Sequence, residues 1–165
     1  MDGTEIVVVG LGNTYRTDDG VGVAVAAALD DLALPNVRVV TDIAEPVGLL
    51  EAWSGAGLAM VIDAAVAAAS VPGRIRRCTL DDLVAERDGL SCHSVDLGAT
   101  YALGQALRRL PGALVVFTIE VADTGHGVGL TPQVARAVPD VVALAVAEIN
   151  GSRRSALQSG ETSGA

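Results

Sequence analysis

Short apolar runs rich in β-branched residues, bounded by Gly, Pro and Asn, alternate along this chain with longer Ala/Val-rich stretches of helical period. Four of the runs, Ile6–Val9, Val37–Val40, Leu58–Ile62 and Leu114–Ile119, are short, β-branched and bounded by turn residues, the pattern of buried strands. A fifth, Arg74–Thr79, alternates more and carries three arginines, which suits an edge strand. Between the strands, Val21–Leu32, Val47–Trp53 and Val95–Leu110 predict helices, the third with Leu97, Tyr101, Gly104 and Leu107 on one stripe. A last helix is expected to open with Thr131 as its N-cap and Pro132 at its first position, to kink at Pro139 and to end near Asn150. Strands alternating with helices predict an α/β fold of three layers, a mostly parallel twisted sheet of about five strands with helices on both faces. This gives one domain over residues 1–150. Residues 151–165, dominated by Gly, Ser, Thr and Gln without an apolar period, are expected to form a disordered tail.

Composition adds three constraints. Of the 165 residues half are hydrophobic, yet only Tyr15, Trp53, Tyr101 and Phe117 are aromatic, so the core is aliphatic. The mean hydropathy of +0.46 raises the question of a membrane span. The longest strictly apolar runs, near Val23–Leu29 and Val141–Ala147, fall far short of the ~18 residues a span needs. The opening Met-Asp-Gly-Thr-Glu enters a strand pattern at once, without a charged and apolar leader, so the expected compartment is the cytoplasm. A net charge of −9 repels phosphate backbones and anionic lipid, which makes nucleic acid and membrane surfaces poor partners. Cys78 and Cys92 form neither a disulfide framework nor a CxxC metal clip.

In open α/β sheets the working groups gather at the carboxyl ends of the strands. The first strand runs into Gly10-Leu-Gly12-Asn13-Thr14-Tyr15-Arg16-Thr17-Asp18-Asp19-Gly20-Val21-Gly22. Its opening is like a dinucleotide fingerprint, but Tyr15 stands where the third glycine belongs, and two carboxylates occupy the place a pyrophosphate would need. Two adjacent acids at a helix start have a plain use as cap and dipole partner. Adjacent residues face different ways, so one can cap while the other coordinates or catalyses. Asp63 closes the third strand, and His93 lies in a loop just before a helix; each has an ordinary reading as a turn or surface residue. Asp19, Asp63 and His93 nonetheless all follow strand-like segments, and together they make an oxygen/nitrogen set suited to Zn, Ni or Fe(II), with no thiolate to favour copper.

Gly10-Leu-Gly-Asn13, Asp18-Asp19-Gly20-Val-Gly22, Val61-Ile-Asp63-Ala64, the His93 loop and Gly129-Leu-Thr-Pro132 occur in that order. This set resembles the hydrogenase maturation endopeptidase family over roughly Ile6 to Ile149. The resemblance implies a twisted sheet between helices and removal of a C-terminal peptide from the large-subunit precursor of a nickel-iron hydrogenase once nickel is inserted. It implies metal contacts at Asp19, Asp63 and His93, with nickel supplied by the substrate or zinc or another divalent metal in its place, and a structural role for Asp18. The hydrogenase precursor is then the partner, and the chain is expected to work as a monomer. Two departures stand out. Asp19 occupies a position that is often Glu in the family, and Asp42-Ile-Ala-Glu45-Pro46-Val-Gly48 replaces the usual acid and Gly-Thr-x-Gly loop.

No Ser-His-Asp order, HExxH helix or G-x-S-x-G elbow occurs. The chemistries left open are metal-assisted hydrolysis through Asp19, Asp63 and His93, carboxylate acid/base work by Asp19 and Asp63 sharing a proton, and a thiol route through Cys92 with His93 or His126, disfavoured because free Cys is usually buried and inert. A metal-sensing chaperone that binds the precursor without cutting it is the non-enzymatic alternative. Glu120 and His126 are expected at the edge of the same site.

Overall fold

The computed structural model describes residues 5–67, 69–79, 81, 82, 91, 92 and 97–161. Among the described residues six strands form one sheet: β1 (Ile6–Gly10), β2 (Val37–Val40), β3 (Leu58–Val66), β4 (Ile75–Thr79), β5 (Ser91–Cys92) and β6 (Ala113–Glu120). The path runs β2-β1-β3-β6-β4, and β5 pairs with β3 off that path. β2, β1, β3 and β6 are mutually parallel, whereas β4 lies antiparallel on β6 at the edge, where its arginines suggested it would be. The helices are α1 (Val21–Asp31), α2 (Pro46–Trp53), α3 (Leu97–Leu107) and α4 (Pro132–Glu161).

Strand alternation divides the core between the two faces. Leu58, Met60, Ile62 and Ala64 of β3, with Val115, Phe117 and Ile119 of β6, pack under α1 and α4 through Val21, Val25, Leu29, Val134, Val141 and Ile149. Ala59 and Val61, with Val7, Val9 and Val116, meet Leu49, Leu50 and Trp53 of α2 and Leu97 of α3 on the other face. The indole of Trp53 donates to the Arg109 carbonyl at 3.1 Å, so the largest core side chain leaves no orphan donor. The three-layer expectation therefore holds. No described helix is long and apolar enough to cross a membrane.

The structure departs from the sequence pattern in four places. β3 does not stop at Ile62; it continues through Asp63 to Val66, because β6 and the short β5 supply hydrogen-bonding partners along the extension. On α3 the buried positions are Leu97, Thr100 and Gly104, while Tyr101 is half-buried and Leu107 is exposed, so the apolar stripe is narrower than expected. α4 contains Pro139 and continues past Asn150 to Glu161, where a disordered tail was expected. Along the extension Ser155 and Ser159 donate to the Gly151 and Ser155 carbonyls, and Arg153 reaches the Pro35 carbonyl, which ties its first turn to the body. Finally, the Thr131 carbonyl accepts from Ala135 as a helix start should, but the Thr131 hydroxyl is engaged elsewhere.

The glycines that imitate a nucleotide loop serve packing instead. A Cβ on Gly22 would stand 2.3 Å from the Ile62 carbonyl oxygen and 2.4 Å from that of Leu11, so the first turn of α1 rests directly on backbone midway along β3 and just after β1. Gly22→Ala is expected to cost about 1–3 kcal/mol or more through overpacking against backbone that cannot retreat. Urea denaturation of the purified variant measures this; an unchanged midpoint would contradict the close contact.

Candidate active site at the β1–β3 switch point

β2 lies on one side of β1 and β3 on the other, so the strand order reverses direction between β1 and β3, the place where open α/β sheets hold their ligands. Asp19 follows β1 and Asp63 lies within β3, so the topology puts the two acids on either side of this point. The chain from β1 passes through a 3-10 turn, Thr17–Gly20, that packs against β3 before α1 begins. Gly12, at φ +122°, allows the approach: a Cβ there would lie 1.9 Å from the Asp19 carbonyl oxygen. Asp19 is half-buried, and its carboxylate accepts the Asn13 N–H at 3.0 Å, fixing its orientation across the glycine loop. Asp63 is fully buried and accepts the Ala64 N–H at 2.8 Å.

Neither Asp18 nor Asp19 makes a side-chain cap on a helix start. Asp18 does something else. Its fully buried carboxylate accepts the N–H groups of Ala122 and Asp123 at 3.0 Å each, the N–H of Thr131 at 2.7 Å and the Thr131 hydroxyl at 2.8 Å. Burial pushes the Asp18 carboxyl up, but these hydrogen bonds together outweigh it and hold the group below the usual carboxylate range. Around this clamp the two loops zip together. Thr17 N–H donates to the Gly127 carbonyl and Gly127 N–H to the Tyr15 carbonyl, both at 3.0 Å, and the Arg16 Nε donates to the Thr124 carbonyl at 3.1 Å. Tyr15 and Val128, 73% and 81% exposed, stand on this double loop as an apolar rim, with His126 exposed between the glycines.

His93 lies outside the described residues, as do the side chain of Cys92 and the start of the helix expected at Val95. What is described is the approach to it: Cys92 pairs with Ala65, two residues beyond Asp63, and the antiparallel direction of β5 heads back along β3 toward Asp63. Among the described residues no three His, Cys, Asp or Glu side chains gather as a metal site. Cys78 is buried in the core.

The sequence reading overlooked a polar band beyond the apolar part of the α2/α3 face. Asp63 pairs in register with Thr118 on β6, and Thr118 in turn with Arg76 on β4. One row further, Glu120 is almost fully buried, 3.3 Å from the Arg74 Nε and 4.0 Å from the Arg76 Nε. Glu120 is thus buried within an ion-paired group where β4 meets β6. Polar residues at alternate positions near the ends of two neighbouring strand patterns were the signal for this band.

These features agree with the comparisons. The HycI hydrogenase maturation protease model matches residues 23–148, and the chain belongs to that family. No curated protein matches it at significance. Among solved structures it is similar to the hydrogenase maturating endopeptidase HybD of E. coli, with a TM-score of 0.78 at 20% identity over 90% of this chain and 93% of that one. The [NiFe] hydrogenase maturation protease HybD of Thermococcus kodakarensis gives 0.74 at 19% identity over 88% and 99%. The HycI protease of the same organism gives 0.64 at 22% identity over 88% and 92%. At such identities these likenesses establish the fold.

Because every partner of Asp18 is a donor, Asp18→Asn should turn an amide N–H₂ against N–H groups and cost about 2–3 kcal/mol at pH 7. The folded carboxyl titrates below its unfolded value near 3.9, so its contribution is present above about pH 4 and disappears as pH falls through the folded pKa. The stability gap between wild type and variant, followed by denaturation across pH, should therefore shrink in acid. A gap independent of pH would rule out the charge as its source.

Proposed function

We propose that this chain is an endopeptidase that removes the C-terminal extension of a nickel-iron hydrogenase large-subunit precursor after nickel insertion, with Asp19, Asp63 and His93 as its working residues. The observation that carries the proposal is the pair of oriented carboxylates flanking the switch point in a chain of the maturation protease family. A protein substrate suits the rim, where Tyr15 and Val128 offer exposed apolar contacts beside the loop that holds Asp19.

Nickel enters this reading as cargo of the precursor. The donor chemistry fits: two carboxylates held at the sheet end, with β5 bringing the chain that leads to His93 alongside β3. Bound there, a divalent ion supplies polarisation of a scissile carbonyl or of a water. The residues themselves position. Asn13 N–H fixes Asp19, Ala64 N–H fixes Asp63, and the Asp18 clamp sets the backbone from which Asp19 projects. Such rigid placement lets the two carboxylates meet the loaded precursor with little reorganisation.

The test is incubation of nickel-loaded precursor with the protein, read by mass spectrometry. A clipped tail is expected with loaded precursor and none with nickel-free precursor, even when metal is added to the peptidase alone. Cleavage of both at similar rates would make it an ordinary sequence-specific endopeptidase, and binding without a mass change would make it a chaperone. His93→Ala and Asp19→Asn should abolish cleavage while leaving stability within about 0.5 kcal/mol. Asp63 is buried, so Asp63→Asn rather than Ala is the informative change at that position. Cys92→Ser should cut at the wild-type rate; its complete loss of activity with the fold intact would point to a thiol mechanism.

A further inference from the structure

We propose that Thr118, Arg76 and Glu120 form a subsite that grips one backbone amide of the precursor's C-terminal segment, one strand over from Asp63; this rests on the endopeptidase reading. The Thr118 hydroxyl, the Arg76 Nε and the Glu120 Oε2 are all buried and have no hydrogen-bond partner among the described residues. Thr118 and Glu120 are themselves 3% and 1% exposed. The ion pairs to Glu120 Oε2, at 3.3 Å from Arg74 and 4.0 Å from Arg76, supply charge without hydrogen-bond geometry. The three atoms belong together: Thr118 is the register partner of Arg76 and lies two residues from Glu120 on the same strand face. Buried polar atoms are ordinarily satisfied, so three orphans in one cluster call for a partner that arrives from outside.

Their chemistry selects that partner. Two are donors and one is an acceptor. A free anion would face the Glu120 carboxylate, and a cation would face two guanidiniums. A peptide unit carries one carbonyl with two lone pairs and one N–H, which matches Thr118 and Arg76 donating while Glu120 accepts. The side chains of Arg74 and Arg76, 46% and 41% exposed, connect the cluster with solvent along the edge strand, so an extended segment can reach it. The register places this amide grip beside Asp63.

The experiment compares wild type, Thr118→Val and Thr118→Ser on nickel-loaded large-subunit precursor. Valine keeps the shape and removes the donor. Its KM should rise roughly fivefold to tenfold with kcat unchanged, the signature of lost uniform binding. Serine should restore most of the difference. Because the hydroxyl has no partner among the described residues, Thr118→Val should melt no lower than wild type. An unchanged KM in the valine variant overturns the proposal, and an unchanged KM with a lowered Tm identifies the cluster as the seat of an ordered water instead. A wild-type protein that leaves the precursor uncut overturns the endopeptidase reading itself, a result separate from any difference between the variants.

Discussion

Everything at the carboxyl end of this sheet leans on one buried carboxylate. Asp18 collects hydrogen bonds from the chain that follows β6 and from the first residues around α4, partners that lie 104 to 113 positions away. Loops normally lie on the surface and move more than the elements they join. Here a charge is removed from water and repaid by a full set of donors, which converts two such loops into one rigid structure. The strand-like zipper between Tyr15–Thr17 and Gly127 is possible only because the clamp has already set their register.

The second constraint is proximity. Gly22 lets α1 start against the backbone of β1 and β3, and Gly12 lets the preceding loop pass under the Asp19 carbonyl. The consequence is that the acid side chain, rather than an open row of N–H groups, occupies the helix entrance. A nucleotide-binding loop uses glycine to admit a phosphate to backbone donors; this chain uses glycine to bring backbone against backbone, and a carboxylate takes the donor that remains, Asn13 N–H.

Much of this was legible beforehand. The parallel strands could be read because each is short, rich in β-branched residues and bounded by turn formers, and β4 because arginines mark an edge. Asp63 was harder. Asp-Ala-Ala has no strand propensity of its own, and only pairing with β6 and β5 carries β3 past Ile62. The helical continuation of residues 151–161 has no amphipathic period to announce it; it extends a helix already packed through Ile149 and is tied back by Arg153 to the Pro35 carbonyl. The role of Asp18 could be named as structural but not located, since a sequence does not show which distant N–H groups will converge on it. The band of Thr118, Glu120, Arg74 and Arg76 was hidden for the same reason: its members lie on two strands whose antiparallel pairing has to be known first.

Two acids that sit side by side in the chain therefore live under unlike rules of substitution. Asp18 fills a closed socket whose walls are all donors; Glu would be a methylene too long for it and Asn would be of the wrong polarity, so drift at this position has almost nowhere to go. Asp19 is half-buried and held by the Asn13 N–H, so lengthening it to Glu demands only a small shift of whatever it meets. Across relatives, position 18 should be frozen and position 19 free to alternate between the two acids, a contrast in evolutionary tempo between neighbours set wholly by which of them is enclosed.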